Sequence, residues 1–350
     1  NNLLLFFSKG PEKVALKLYK IDQLDSSGKK SDNAFKGRVL VNISGDSNGK
    51  FCQINSEWET IWTLSYDSPK LIGINLLSYE EISRGGEVNQ KLFVDVTRSI
   101  FKDDYAYKNQ FLKSTDHWRS RITRDYGLDV VANHGIALGD VNGDGLDDLY
   151  VCQQGGLPNR LFLRQSDGSL KDITKLSNTG WLDYCASALI LDFDNDGDKD
   201  IAISQNFKIL FMDNIGNMKF ELALGLGTHA QTFSISSADF DNDGDLDIFL
   251  CGYNPPSGPE GESGVMGEPM PYHDAKNGGK NKMLRNDGNW NFTEITEECG
   301  LNQNNDRFSF ASSWHDYDQD GDLDLYVAND YGRNNLYQNN DGQFVDVAKE

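Results

Sequence analysis

The sequence predicts an all-β chain, a β-propeller of four-stranded blades with six blades visible and a seven-bladed ring left open. Three observations carry this. A nine-residue acidic loop, D-x-[DN]-x-D-G-x-x-D, occurs four times. Each copy runs into a short apolar stretch rich in β-branched and aromatic residues, the composition of a buried strand. Turn dipeptides then recur in step with the loops, and a four-strand unit repeating near 45 residues reads as a propeller blade.

The loops start at Asp140, Asp192, Asp239 and Asp316. Oxygen side chains at positions 1, 3, 5 and 9 can converge on one hard cation. Glycine at position 6 permits the sharp turn, and position 7 can add a backbone carbonyl. The expected ligands are Asp140, Asn142, Asp144, Leu146 and Asp148 in the first loop, and Asp192, Asp194, Asp196, Asp198 and Asp200 in the second. The third offers Asp239, Asp241, Asp243, Asp245 and Asp247, and the fourth Asp316, Asp318, Asp320, Asp322 and Asp324. An EF-hand would require a bidentate glutamate at position 12 and helices on both sides. Val151, Ile203, Leu250 and Val327 stand there instead. Each unit is therefore strand, metal loop, strand, and the expected cofactor is calcium, about four ions, in a structural role.

The formal net charge is −21, and the four loops alone contribute −18 of it, from nineteen aspartates and one lysine. The acidity is thus divided into four packets sized for a metal. Carboxylates about 4 Å apart repel by about 4 kcal/mol per pair at an effective dielectric near 20, which favours a bound cation. The sign of the charge argues against a nucleic-acid partner. No apolar run approaches the ~20 residues of a membrane span. Five cysteines in 350 residues make no disulfide framework. Cys152 and Cys251 hold the same place in their repeats, where the other two have Ser204 and Ala328, so they read as small core residues. The chain opens on Asn1 rather than Met, as a mature form or a fragment would.

Downstream of each loop lies a phrase of type L-[FY], a glycine turn and a closing strand. The pairs are Leu161-Phe162, Leu210-Phe211, Met283-Leu284 and Leu336-Tyr337, and three of the turns are Asp167-Gly168, Asp287-Gly288 and Asp341-Gly342. Residues 134–350 thus hold four calcium-loop blades, with a Pro/Gly-rich insertion at 254–280. Leu92 to Thr97 reads as a closing strand, and residues 99–133 form a second insertion. Residues 1–98 lack the loop. They read as two degenerate, metal-free blades, with strands at Arg38–Ile43, Phe51–Ile54, Thr60–Tyr66 and Lys70–Leu76; a small β-sandwich is the alternative.

The loop with its flanking strands resembles the FG-GAP or VCBS repeats of integrin α-type propellers. Asp-Phe-Asp-Asn-Asp-Gly-Asp-Leu-Asp, then Asn-Asp-Gly, then Phe292-Thr-Glu-Ile-Thr-Glu-Glu-Cys-Gly-Leu301 is closer still to the cartilage acidic protein (ASPIC/UnbV) family. The resemblance covers roughly Phe93 to Val347. It departs in lacking a literal Phe-Gly or Gly-Ala-Pro element and that family's C-terminal domain. It implies an extracellular protein, secreted or at a cell or periplasmic surface, that binds calcium on one face and serves adhesion or recognition. It does not identify a ligand, because propellers host many functions.

Strand direction locates a second face. Neighbouring strands of a blade run antiparallel, so both insertions emerge opposite the metal loops, where long irregular loops carry binding. Candidates there are Tyr105, Tyr107, Trp118, Arg119, Arg121, His229, Tyr272, His273 and Arg307. Such aromatic and Arg side chains suit a glycan or a protein ligand. The leading expectation is a recognition or adhesion module. The alternative is a polysaccharide lyase using Asp183, Tyr184, His229 and Arg307, and no catalytic spacing requires it.

Overall fold

A computed structural model describes residues 13–24, 34–47, 50–63, 69–84, 93–122, 134–255, 269 and 271–348. The chain divides into two compact units, Asn1–Asp95 and Val96–Glu350.

The first unit holds one antiparallel sheet of long strands in sequential order: β1 (Lys13–Leu24), β2 (Ala34–Ser47), β3 (Lys50–Thr63) and β4 (Lys70–Arg84). This corrects the expected partition into pieces of two blades, because Phe51–Ile54 and the start of Thr60–Tyr66 are one strand, β3. The charged stretch between them stays in the ladder because its side chains pair across the sheet. Arg38 Nη1 lies 3.0 Å from Glu57 Oε1, and Lys36 Nζ lies 3.1 Å from Glu59 Oε1. Cross-strand opposite charges support a ladder as apolar pairs do. Ile43, Cys52 and Ile54 form its small buried core. Residues 48–49 and 64–68, which connect these strands, lie outside the described residues.

Four further four-stranded antiparallel sheets build the second unit. The first comprises β5 (Ile136–Gly139), β6 (Asp148–Val151), β7 (Arg160–Arg164) and β8 (Leu170–Asp172). The second comprises β9 (Cys185–Leu191), β10 (Asp200–Gln205), β11 (Lys208–Asn214) and β12 (Phe220–Gly227). In the third are β13 (Gln231–Ala238), β14 (Asp247–Asn254), β15 (Lys282–Asn286) and β16 (Phe292–Glu294). The fourth has β17 (Phe308–His315), β18 (Asp324–Tyr331), β19 (Asn335–Asn340) and β20 (Gln343–Asp346). Every acidic loop joins the first strand of a sheet to its second.

Register aligns the repeats. The residue after each ninth aspartate faces Phe162, Met212, Leu284 and Tyr337 respectively. In the second sheet the equivalent pair is therefore Phe211-Met212, one residue beyond the expected Leu210-Phe211. Ile209 to Met212 is apolar throughout, so composition cannot fix its register, and the ladder does.

Consecutive sheets pack face to face over three cores. Tyr150, Leu161, Ile190, Ile203 and Phe220 fill the first; Phe193, Phe211, Ile235 and Ile248 the second; Phe249, Met283, Leu325 and Tyr337 the third. Phe93 to Val96 form no strand, contrary to expectation. Phe93 is 85% exposed, and the chain enters a short helix, α1 (Thr97–Phe101). Among the described residues it has no ladder partner, and an unpartnered strand is not stable in water.

The insertion that follows docks on the first sheet. Its elements are α1, a π-helical turn (Tyr107–Phe111) and α2 (Thr115–Arg119). Phe101 stacks on Tyr107 at 4.8 Å and meets Phe162 edge-on at 5.1 Å. Gln110 Nε2 donates to Gln153 Oε1 and to the Pro158 carbonyl, both at 2.9 Å. The end of the other insertion is likewise tied down. Ala275 is fully buried against Tyr253 and Phe308, and the Gly278 and Gly279 amides donate to the Asp306 and Tyr253 carbonyls. A Cβ on Gly278 would sit 2.3 Å from the Arg307 backbone, so the close approach requires glycine. No helix among the described residues is long and apolar enough to cross a membrane.

Candidate functional site

The four acidic loops share one internal hydrogen-bond pattern. The position-6 amide donates to the position-1 carboxylate: Gly145 to Asp140, Gly197 to Asp192, Gly244 to Asp239 and Gly321 to Asp316, at 2.7 to 3.1 Å. The position-7 amide donates to the position-5 carboxylate in each, from Leu146 to Asp144 through Asp322 to Asp320. Positions 4 and 6 have positive φ, Gly145, Gly197, Gly244 and Gly321 reaching 83° to 104°. Only glycine enters that range without strain.

These turns aim carboxylates inward. Asp192, Asp194 and Asp200 each present an oxygen within 4.8 Å of the others. The same holds for Asp239, Asp241 and Asp243, and for Asp316, Asp318 and Asp320. In the first loop the third position is Asn142, whose amide donates to Asp144 at 3.1 Å. Three buried carboxylate oxygens, Asp192 Oδ1, Asp198 Oδ1 and Asp241 Oδ1, have no hydrogen-bond donor among the described residues. A buried, unpartnered carboxylate oxygen is costly, and a hard cation is the partner this donor set fits. Burial and neighbouring carboxylates push Asp194, Asp198 and Asp241 above the ordinary carboxylate range. For Asp140 burial acts the same way, but the amides of Gly145, Asp144 and Gly143 outweigh it and lower the net value.

The ninth-position aspartates have a second role. Each is buried and bridges two strands: one oxygen accepts from the position-2 amide, the other from an amide on the third strand. For Asp247 these donors are Phe240 at 3.2 Å and Asn286 at 2.9 Å; Asp148, Asp200 and Asp324 repeat the arrangement. A carboxylate oxygen has two lone pairs, so these bonds leave capacity for a metal. Sequence reasoning missed the asparagines on the third strands. Asn214, Asn286 and Asn339 each hold their own loop's position-8 carbonyl and reach the preceding loop's position-2 carbonyl. Their signal is an Asn two or three residues before the turn glycine, as in Asn286-x-Gly288, whose amide bonds back to the Asn side chain.

At the opposite end of the strands, the second-to-third and fourth-to-first connections surround two cavities. The larger, about 780 Å³, is lined by His229, Lys280, Asn281, Glu297, Asn302 and Asn305 among others. The smaller, about 110 Å³, includes Arg307, which is buried and bonded through Nη1 to Asp274 Oδ1 at 2.7 Å. Tyr272 and His273 are exposed near it in sequence. Tyr105 is exposed, whereas Tyr107 packs inside the docked insertion and Trp118 Nε1 caps the Gln110 carbonyl. Arg119 is exposed, and Arg121 binds the His117 carbonyl at 2.8 Å. The four residues of the alternative lyase reading are not brought together among the described residues. Asp183 pairs with Lys208 at 3.5 Å, Tyr184 is buried, and His229 and Arg307 line different cavities.

Comparison with known proteins bears on the loops. Residues 140–203 match an FG-GAP-like repeat. That stretch runs from the first loop into β10 and contains two of the four loops. No curated protein matches the chain significantly. Among solved structures, one describing specific recognition of non-reducing terminal N-acetylglucosamine by an Agrocybe aegerita lectin is similar. It covers 97% of this chain and 80% of its own, at 12% identity and a TM-score of 0.39.

Proposed function

We propose that residues 134–350 form the calcium-stabilised blades of an FG-GAP-type β-propeller, and that the end opposite the loops recognises a glycan or protein ligand outside the cell. The observation that carries the metal half is the trio of buried carboxylate oxygens without donors in loops of one ligand spacing. The recognition half rests on both cavities opening among the connections at the other end. Calcium is structural in this reading: it ties the first strand of a blade to the second and relieves the repulsion within each loop. The sequential face-to-face packing of the four sheets supports a radial arrangement of blades. A lyase is the weaker reading, because Asp183, Tyr184, His229 and Arg307 do not meet among the described residues.

Two measurements test this. Isothermal titration of the chelated protein with calcium should give about four sites, and no calcium-linked heat would end the metal reading. A glycan array probed in calcium buffer should give discrete binders. An array without hits, together with a lyase absorbance signal on any acidic polysaccharide, would favour the enzyme instead.

A further inference from the structure

The smaller cavity is cationic in a strongly acidic chain. Lys276, Arg307 and Arg333 face Asp274 and Asp346 around it, whereas the chain as a whole carries −21. Both carboxylates are already engaged. Asp274 holds Arg307 Nη1, and Asp346 Oδ2 accepts from the side-chain amides of Asn304 and Asn335, each at 2.8 Å. Arg307 is only 6% exposed, and its Nε is buried with no acceptor among the described residues. A buried guanidinium with an idle donor is a high-energy arrangement that an incoming anion relieves, and Arg binds carboxylates through two donors at once. Gly332 leaves room for the guanidinium, since a Cβ there would lie 2.6 Å from Arg307 Nη1.

Size sets the ligand group. A volume of about 110 Å³ is three to four times the ~30 Å³ share of a water molecule. It admits one carboxylate and excludes a sugar ring, which must rest outside. Tyr272, 71% exposed, is two residues from Asp274 and meets Tyr331 edge-on at 4.9 Å beside Gly332. It offers a flat amphipathic surface with little rotamer entropy to lose. The larger cavity flanks the same connection: Asn302 and Asn305 line it, while Asn304 and Arg307 line the smaller. Its amide, hydroxyl and carboxylate groups suit a polyol.

From this juxtaposition we infer that the smaller cavity is the carboxylate subsite of an acidic-sugar site, with the ring on Tyr272 and the neighbouring residue of the glycan in the larger cavity. The inference rests on the recognition reading above and names its ligand class. A single uronate fits better than a long polyanion, which the net negative chain repels at distance.

The test uses the calcium-loaded full chain and three probes: a methyl glucuronoside, its methyl ester, and a blocked aspartyl peptide. Titration calorimetry should show the free acid binding at least tenfold more tightly than the ester. Tyr272→Ala and Lys276→Gln, both at exposed positions, should each weaken the acid at least fivefold while leaving the melting temperature unchanged. Arg307→Gln should abolish the preference for acid over ester. Equal binding of acid and ester, tighter binding of the peptide, or indifference to Tyr272→Ala and Lys276→Gln would each overturn the subsite. Neutral array hits without acidic ones overturn this inference alone, whereas an array with no hits overturns the recognition reading as well.

Discussion

The side-chain amide of Asn286 donates to the Phe193 carbonyl at 2.8 Å, ninety-three residues away in sequence. Phe193 is position 2 of the second acidic loop, and Asn286 ends the third strand of the next sheet. Asn214 does the same to Val141 and Asn339 to Phe240, each at 3.0 Å. Each asparagine also holds the position-8 carbonyl of its own loop. The acidic loops are therefore riveted from sheet to sheet by buried amides. Additional surface bonds link neighbouring loops in the opposite sense, from Asn195 to Asp245 at 2.5 Å and from Asn242 to Asp322 at 3.5 Å. In the first sheet the equivalent place is Arg164, which is exposed, and its amide still donates to Asp148.

Asn286→Ala leaves the Phe193 and Leu246 carbonyls without that donor. Unsatisfied buried polar groups cost about 1–3 kcal/mol each. We expect about 2–4 kcal/mol of destabilisation in urea unfolding, and a smaller calcium-induced stabilisation because two loops share the rivet. Arg164→Ala should cost under about 0.5 kcal/mol, as exposed substitutions do. Equal losses in the two variants would show that the rivet is incidental.

Chelation should lower the melting temperature, and calcium should restore it. A site at a hundredfold excess over its dissociation constant adds about 2.7 kcal/mol. Asp241→Ala removes a position-3 carboxylate from the third loop, so the calcium-dependent rise should shrink by about one site's share in differential scanning calorimetry. An undiminished rise would take Asp241 out of the ligand set.

The metal-free protein should respond to pH in an unusual direction. Burial pushes Asp200 and Asp247 up to about 7, against the lowering effect of the amides that donate to them. A folded-state value above the unfolded one means that the folded chain binds more protons between the two. Stability then falls as pH rises from about 4 to about 7. The chelated protein should melt higher at pH 5.5 than at pH 8. With calcium the order should reverse, since ligation needs the deprotonated carboxylates. A chelated protein that is more stable at pH 8 would contradict these shifts.

The acidic loops, the strands they join and the glycine turns were legible in the sequence because each obeys a local rule: ligand spacing, apolar β-branched and aromatic composition, and the turn dipeptides. Asn286 was not, because its partner Phe193 is set by the packing of neighbouring sheets rather than by nearby residues. The continuity of β3 through Glu57 and Glu59 was hidden for a similar reason: charges opposite Arg38 and Lys36 support a strand only once the register is known. Met212 was displaced by one place because four apolar residues in a row carry no phase. At the end opposite the acidic loops, Arg307 and His229 were visible as residue types, but their separation into two cavities depends on the route of the 271–282 connection. Tyr107 was read as a ligand candidate from composition alone, yet its ring is spent on Phe101.

Cys152 reads as a small core residue in the sequence, and both it and Cys185 are buried in the structure. Their Sγ atoms lie 3.0 Å apart, joining the end of the first sheet's second strand to the start of the next sheet's first strand. Burial pushes the Cys185 thiol well up, so the folded protein should be unreactive toward alkylating agents at this pair. Cross-linking should instead happen while the chain folds. Exchange with glutathione disulfide transfers two electrons and two protons from the thiol pair, releases two molecules of glutathione, and forms the Sγ–Sγ bond. Refolding in that buffer, followed by denaturation and alkylation, should label three of the five cysteines, Cys52, Cys251 and Cys299. Peptide mapping should recover Cys152 linked to Cys185, and Cys152→Ser should return Cys185 to the labelled set. Five labels in the wild-type chain would show that the two sulfurs are neighbours only.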